Sequence, residues 1–403
     1  MLCVALVGTG LAGAGPAGAA TSGGGGGGDA PVVRVASGVE YSSFTVPASH
    51  GPARAHLVTV DLADPRVRLD LLHAGAVAAR RTVSSMADTA GAVAAVNGDF
   101  FNISEAQHPG VEATGAPVGP AVAGGRQLKA AVPDGQRFGP ALPPGTHTTD
   151  VFGVGADGRA RMGRLDLDGA VHTAHDRLPL GGLNQYALPV GSVGAFTADW
   201  GAASRFRSVC GTDTDRAAPC STDTYEVTVR AGRVVATADV PGAGPIAADA
   251  TVLVGRESGA QQLRKLAVGD PVHVRHRLVA AESDAALRFA VGGYPVLRDG
   301  QPLAGLDAFT SAVRSAVGTS DSGRRLHLLA LDGGLDYRTG LTIAEVAQLM
   351  RELGARDAFS LDGGGSSTLV SRDPGAPGVT VRNSPSGGVE RPVPNGIGVF
   401  SQG

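Results

Sequence analysis

The chain has 403 residues, 61 of them glycine and 25 proline, with 43% hydrophobic and 18% charged residues and a formal net charge of -3. This balance excludes a disordered chain and a helical bundle, and leaves a loop-rich globular protein of one large or two ordinary domains. Of the 34 basic residues only Lys129 and Lys265 are lysine, and no basic block occurs, which argues against nucleic acid as a partner.

Residues 1–20 are apolar and small and end in Ala17-Gly18-Ala19, the pattern of a secretory signal peptide. They are too short and too glycine-rich to span a bilayer, and no later segment is long and apolar enough, so the mature chain is expected to be secreted without a transmembrane segment. The run Gly8 to Gly13 is a literal GxGxxG. A dinucleotide site is rejected there, because no full strand precedes it, no helix pattern follows and no acid lies about 20 residues on. Residues 21–30 read as a flexible Gly-rich linker.

From 31 to about 72 the pattern is β-like, and a short helix is expected from Thr82 to Ala90. Ala92 to Val96 is a buried-strand candidate running into Asn97-Gly98-Asp99. Residues 150–285 alternate polar and apolar with frequent turns, including a hairpin about Ala231-Gly232, and read as a β-rich insertion. It holds Cys210 and Cys220, an even pair in a short polar loop of an exported chain, hence an expected disulfide. The pairs His172/His175 and His273/His276 are poor metal candidates, since residues three apart on a strand face opposite sides.

Arg324 to Leu331 is a strand candidate ending in Asp332-Gly333-Gly334. Thr342-Ile343-Ala344-Glu345 is a capping box, and the helix after it aligns Ile343, Val346, Ala347, Met350 and Leu353 on one face. Ala358 to Leu361 is the next strand, ending in Asp362-Gly363-Gly364-Gly365-Ser366-Ser367. Strand, helix and strand within some 40 residues predict a βαβ unit with its two strands parallel in one sheet. Asp332 and Asp362 then emerge on one rim, where ligands bind in α/β folds. One Asp-Gly is ordinary turn chemistry. Two on a rim, one followed by Gly-Gly-Ser-Ser, point to a site rich in backbone and hydroxyl donors. No GK[ST] and no nearby G-x-S-x-G occurs, so a P-loop and a serine triad are unsupported.

AVNGDFF (95–101), RSAVG (314–318), LALDGG (329–334), GLTIAEVAQLMRELGARDAFSLDGGGSSTLV (340–370) and RPVPNGIGVF (391–400) resemble, in this order, the phosphodiester glycosidase family, which includes N-acetylglucosamine-1-phosphodiester α-N-acetylglucosaminidase. The resemblance implies an α+β, mixed α/β fold: a central mixed sheet flanked by helices, with a β-rich insertion. It divides the catalytic domain into residues 31–149 and 286–403, interrupted by 150–285. It also implies hydrolysis of a sugar-1-phosphodiester at its glycosidic bond, on an envelope glycan or another carbohydrate phosphodiester.

Carried over position by position, the matching residues are Asn97, Arg314, Asp332, Asp362, Ser366, Ser367, Arg391 and Asn395. Such chemistry needs a carboxylate at the anomeric carbon and a second group serving the leaving oxygen. Asp362 is the expected nucleophile or base and Asp332 its partner. Arg314 and Arg391 are expected on phosphate oxygens, whose geometry the guanidinium fork matches. Gly363, Gly364, Ser366 and Ser367 would donate further hydrogen bonds, and Asn97 and Asn395 would read sugar hydroxyls. Asp99 stands at a variable family position and is assigned no catalysis. Clustered aspartates suit Ca²⁺, but no recognised metal motif accompanies them. The competing functions are a glycoside hydrolase or transglycosidase without phosphate in its substrate, and a non-catalytic cell-wall glycan-binding module.

Overall fold

The computed structural model describes residues 31–281, 286–334 and 339–402, so the signal-peptide candidate, the GxGxxG run and the Gly-rich linker lie outside the described residues. Its strands form sheets of eight, eleven and five. The eight-stranded sheet runs Val33–Ala36, Val39–Val46, Ala53–Asp61, Arg325–Leu331, Ser315–Thr319, Asp357–Leu361, Tyr294–Arg298, Gln301–Pro302. Every neighbouring pair in it is antiparallel. The five-stranded sheet, likewise antiparallel, runs Val379–Val381, Leu369–Arg372, Ala94–Asn97, Asn395–Ser401, Val67–His73.

The expected helix-flanked mixed sheet is therefore corrected: strand makes up 41% of the described residues and helix 10%. Among the described residues there are three α-helices, Val83–Ala90, Ser258–Leu263 and Ile343–Glu352. The capped helix does connect Arg325–Leu331 to Asp357–Leu361, and the two strands do run the same way. They are not neighbours, however, because Ser315–Thr319 inserts between them and pairs antiparallel with both. Asn97 of the five-stranded sheet reaches Ser315 of the eight-stranded one, so sheet meets sheet at this end of the strand.

Local chemistry explains the elements that bear on the site. Thr342 accepts from the Glu345 N–H while Glu345 accepts from the Thr342 N–H, so two otherwise orphaned donors are satisfied at the helix start. The helix buries Ile343, Val346, Ala347, Leu349 and Met350. Thr82 caps the first helix in the same manner, with Gly91 in the left-handed region at its end. The eleven-stranded sheet takes strands from Ala121–Lys129 and Leu287–Gly292 as well as from the stretch between. Its Thr224–Arg230 and Arg233–Ala238 hairpin turns on Ala231 and Gly232, both at positive φ. Cys210 and Cys220 are joined in a disulfide. No helix among the described residues is long and apolar enough to cross a membrane.

Candidate active site

Asp362 follows immediately on the Asp357–Leu361 strand, and its N–H donates to the Gly98 carbonyl at 2.9 Å, joining two of the family-like motifs directly. Asn97, fully buried, fixes that junction. Its amide donates to the Asp362 carbonyl at 2.7 Å, while its Oδ1 accepts from the Ser315 hydroxyl at 2.7 Å and the Thr368 N–H at 3.1 Å. Asn395 holds the neighbouring turn: its side-chain oxygen accepts from the Asp99 N–H at 2.9 Å and its carbonyl from the Gly98 N–H at 3.0 Å. A Cβ on residue 98 would stand 2.3 Å from that side-chain oxygen, so the turn requires glycine. Asn97, expected to read a sugar hydroxyl, is thus committed within the protein at Asp362, and the side-chain oxygen of Asn395 is committed to the Gly98–Asp99 turn.

The Gly364–Ser366 segment after Asp362 turns as a short 3₁₀ helix. Gly363 donates its N–H back to the Asp362 carboxylate at 3.0 Å. Arg391 lies flat on this turn, so that a Cβ at residue 365 would fall 2.3 Å from Nη2, and its Nη1 donates to the Ser366 hydroxyl at 3.3 Å. Among the described residues no carboxylate comes within ion-pairing distance of Arg391. The Ser367 hydroxyl and the Thr368 hydroxyl are buried without a hydrogen-bond partner.

Asp362 keeps partial exposure at this turn, yet its carboxyl is crowded by protein. Burial pushes its pKa up to about 6, against the opposing pull of the Ser366 hydroxyl, the Gly363 N–H and the Arg391 charge; Asp99 adds a repulsive charge. An aspartate poised there changes charge close to neutral pH, as a catalytic acid or base must.

Asp332 has different company. Its Oδ1 accepts from the Ser384 N–H at 2.6 Å and lies 3.1 Å from His56 Nε2, and its own N–H donates to the Arg54 carbonyl. Burial works to raise its pKa, but the His56 and Ser384 hydrogen bonds outweigh it and hold the carboxyl below the usual range. The two aspartates leave one edge of the sheet with the Ser315–Thr319 strand between them, about 10 Å apart in backbone terms. Among the described residues the hydrogen-bond partners of the two carboxyls are different: His56 and Ser384 for Asp332, Gly363 and Ser366 for Asp362. Asp332 instead pins the 383–386 loop, whose Asn383 amide bridges the Leu331 and Ser367 carbonyls.

Arg314 immediately precedes the strand between the two acids, but its guanidinium is given to the Leu341 and Thr310 carbonyls at 3.0 and 2.8 Å. A cleft of about 1170 Å³ is walled by Val313, Gly333, Gly334, Ser384, Ser386 and Glu390. It adjoins the Asp362 turn through Val313, whose carbonyl accepts from the Gly364 N–H, but neither aspartate lines it.

Three charged residues in this region were not singled out as site residues from the sequence. Asp99 is buried beside Gly98, with Oδ2 accepting from the Gly119 N–H at 2.6 Å and Oδ1 unpartnered; burial pushes its pKa up. Lys129 is fully buried, with its ammonium on the Val118, Gly119 and Ala130 carbonyls, and burial pushes its pKa down. Arg137 lies over the rings of Phe100 and Tyr294, 4.7 and 5.4 Å from their centroids. Asp99 was legible in AVNGDFF; Arg137, in a Gly/Pro-rich loop, gave no signal. Among the described residues the one cluster with metal-ligand geometry is His108, Cys210 and Cys220, whose sulfurs are tied up in the disulfide.

Comparison with known proteins bears on this geometry. Residues 223–400 match the family model of the phosphodiester glycosidases. That phosphodiester glycosidase match takes in Arg314, Asp332, Asp362, Ser366, Arg391 and Asn395, and leaves Asn97 and Asp99 to the preceding part of the chain. No curated protein matches the sequence significantly. Among solved structures, a hypothetical protein from Synechocystis superposes with TM-score 0.68 at 22% identity, covering 91% of this chain. The chain spans 62% of that protein's length. A candidate exported protein from Burkholderia pseudomallei K96243 gives TM-score 0.64 at 23% identity, over 87% of this chain and 74% of the other. These two show a shared fold. The zebrafish N-acetylglucosamine-1-phosphodiester alpha-N-acetylglucosaminidase catalytic domain, auto-inhibited by its pro-peptide, aligns at TM-score 0.45 and 15% identity over 90% of this chain and 83% of its own, too loosely to carry an argument.

Proposed function

We propose that the protein is an exported hydrolase that cleaves the glycosidic bond of a sugar-1-phosphodiester, releasing free sugar and a phosphomonoester. The observation that carries this reading is the Asp362 turn: a carboxyl with a pKa near 6 beside Arg391, a guanidinium that lacks a carboxylate partner. A hydrolase of this class must stabilise positive charge at the anomeric carbon and negative charge on the departing phosphate. Asp362 serves the first need and Arg391 the second. In the reaction the C1–O bond breaks and the phosphate departs with its electron pair. Water delivers hydroxide to C1 and its proton to the phosphate or, transiently, to Asp362. A phosphate diester oxygen is already a good leaving group, so cationic stabilisation matters more here than a strong general acid.

Asp332, expected as the partner acid, is proposed instead to position the 383–386 loop beside the site, since its carboxyl is occupied by His56 and Ser384. The test is product analysis. The purified protein is incubated with a panel of sugar-1-phosphodiesters and with the corresponding aryl glycosides. Release of reducing sugar from the phosphodiesters supports the reading. Turnover of aryl glycosides alone would transfer the protein to the glycoside hydrolases, and turnover of neither would sink the enzymatic reading.

A further inference from the structure

Arg137 is the charged group in this region whose setting is least explained by the fold. It is 8% exposed, and two of its guanidinium nitrogens, Nε and Nη2, are buried without a hydrogen-bond acceptor, while Nη1 donates to the Pro140 carbonyl. Its nearby acids include Asp99 and Asp362, yet among the described residues no carboxylate comes within ion-pairing distance. Leaving a buried cation and its donors unpaired is strongly unfavourable. Stacking on Phe100 and Tyr294 recovers only a part of that. Such an arrangement is costly for the free protein, and it is what a site built for an arriving anion looks like.

Arg137 also lines a second cleft, of about 620 Å³, a volume suited to a small ligand or one sugar unit. The opposite wall is the disulfide loop, through Asp215, Arg216 and Ala217. The cleft's two carboxylates are already engaged. Asp134 accepts from the Thr148 N–H and hydroxyl and lies against His147, and Asp215 accepts from the Ala217 N–H. Arg216 donates to the Arg137 carbonyl and lies over the Phe138 ring.

We infer that Arg137 is a phosphate-binding residue, and that the cleft between residues 134–146 and the disulfide loop receives the phosphate-bearing leaving group. The inference rests on the proposed function and deepens it. Arg137 and Arg391, both within electrostatic reach of Asp362, take the phosphoryl oxygens, with Arg137 in the part expected of Arg314. A phosphoryl group bound in the cleft neutralises the Arg137 charge, so binding energy is realised where the charge of the leaving group develops.

The experiment is titration of the intact protein with inorganic phosphate, followed by calorimetry or ³¹P NMR, on wild type, Arg137→Met, Arg137→Lys and Asp362→Asn. Wild type saturates in the millimolar range, Arg137→Met binds about tenfold or more weakly, and Arg137→Lys falls between, because lysine keeps the charge and loses the fork. Asp362→Asn binds at least as tightly as wild type, since a repelling carboxylate is gone. Thermal unfolding of Arg137→Met separates function from folding: its Tm matches or exceeds that of wild type, as relief of an unpaired buried charge requires. Equal phosphate affinity in wild type and Arg137→Met overturns the inference, and so does a wild type that binds no phosphate, or an Arg137→Met variant that unfolds while Arg137→Lys binds normally. Sugar release from the phosphodiester panel decides the proposed function separately, because phosphate binding requires no turnover.

Discussion

Asn97 offers the sharpest test of how the site is held. Its side chain makes three hydrogen bonds, to the Asp362 carbonyl, the Ser315 hydroxyl and the Thr368 N–H, all inside the protein. Asn97→Ala deletes all three and leaves a carbonyl and an N–H without partners. At a net value of about 1 kcal/mol per bond, plus the extra penalty for stranded buried groups, the variant should lose about 3–5 kcal/mol. Urea unfolding measures this directly through the midpoint at unchanged slope. Asn97→Asp is the informative companion. It keeps the acceptor but turns the donor into an oxygen facing the Asp362 carbonyl, so its loss should be largest at neutral pH and shrink as the new carboxyl is protonated. A loss below about 1 kcal/mol for Asn97→Ala would refute the idea that this residue locks Asp362 in place.

Three further outcomes follow from the same geometry. An unfolded aspartate titrates near 3.8 and folded Asp362 near 6, so between these values the folded protein holds the extra proton and stability falls as pH rises; Asp362→Asn should flatten that slope between about pH 4 and 6, with Asp99 retaining part of it, as read by thermal unfolding across pH. Asp332 has the opposite sign, its lowered pKa contributing stability that is present at neutral pH and lost as pH falls through the lowered folded value, so Asp332→Asn should cost about 1–3 kcal/mol at pH 7 and progressively less as the medium is acidified below the ordinary aspartate range. Gly365→Ala drives a methyl group into the Arg391 guanidinium, and kcat/KM on an active phosphodiester should fall about tenfold to a hundredfold while Asp362→Glu and Arg391→Lys are compared alongside.

Much of the fold around the site could be read locally. The Thr342/Glu345 box marked a helix start because both partners lie within four residues, and the Ala231-Gly232 turn marked its hairpin for the same reason. The helix-flanked sheet failed because it depended on a contact distant in sequence. Nothing in RSAVG announces that this short strand slips between Arg325–Leu331 and Asp357–Leu361 and turns a parallel neighbour pair into two antiparallel ones. The site divides in the same way. Asp362 and the Gly363–Ser366 turn stand together in sequence and in space. Asp332 and Arg314 instead have partners that their own motifs do not show: His56 and Ser384 for the first, the Thr310 and Leu341 carbonyls for the second. Arg137 could not be singled out from its own neighbourhood, since what marks it is a buried guanidinium without a carboxylate partner among the described residues.

The most direct measurement of the central claim is sugar release by wild type and Asp362→Asn from one sugar-1-phosphodiester, with both proteins shown to be folded. The account predicts that wild type liberates sugar and phosphomonoester in equal amounts and that the variant loses at least about a thousandfold in kcat, as removal of a covalent or basic catalyst does. Turnover by the variant at the wild-type rate would contradict it.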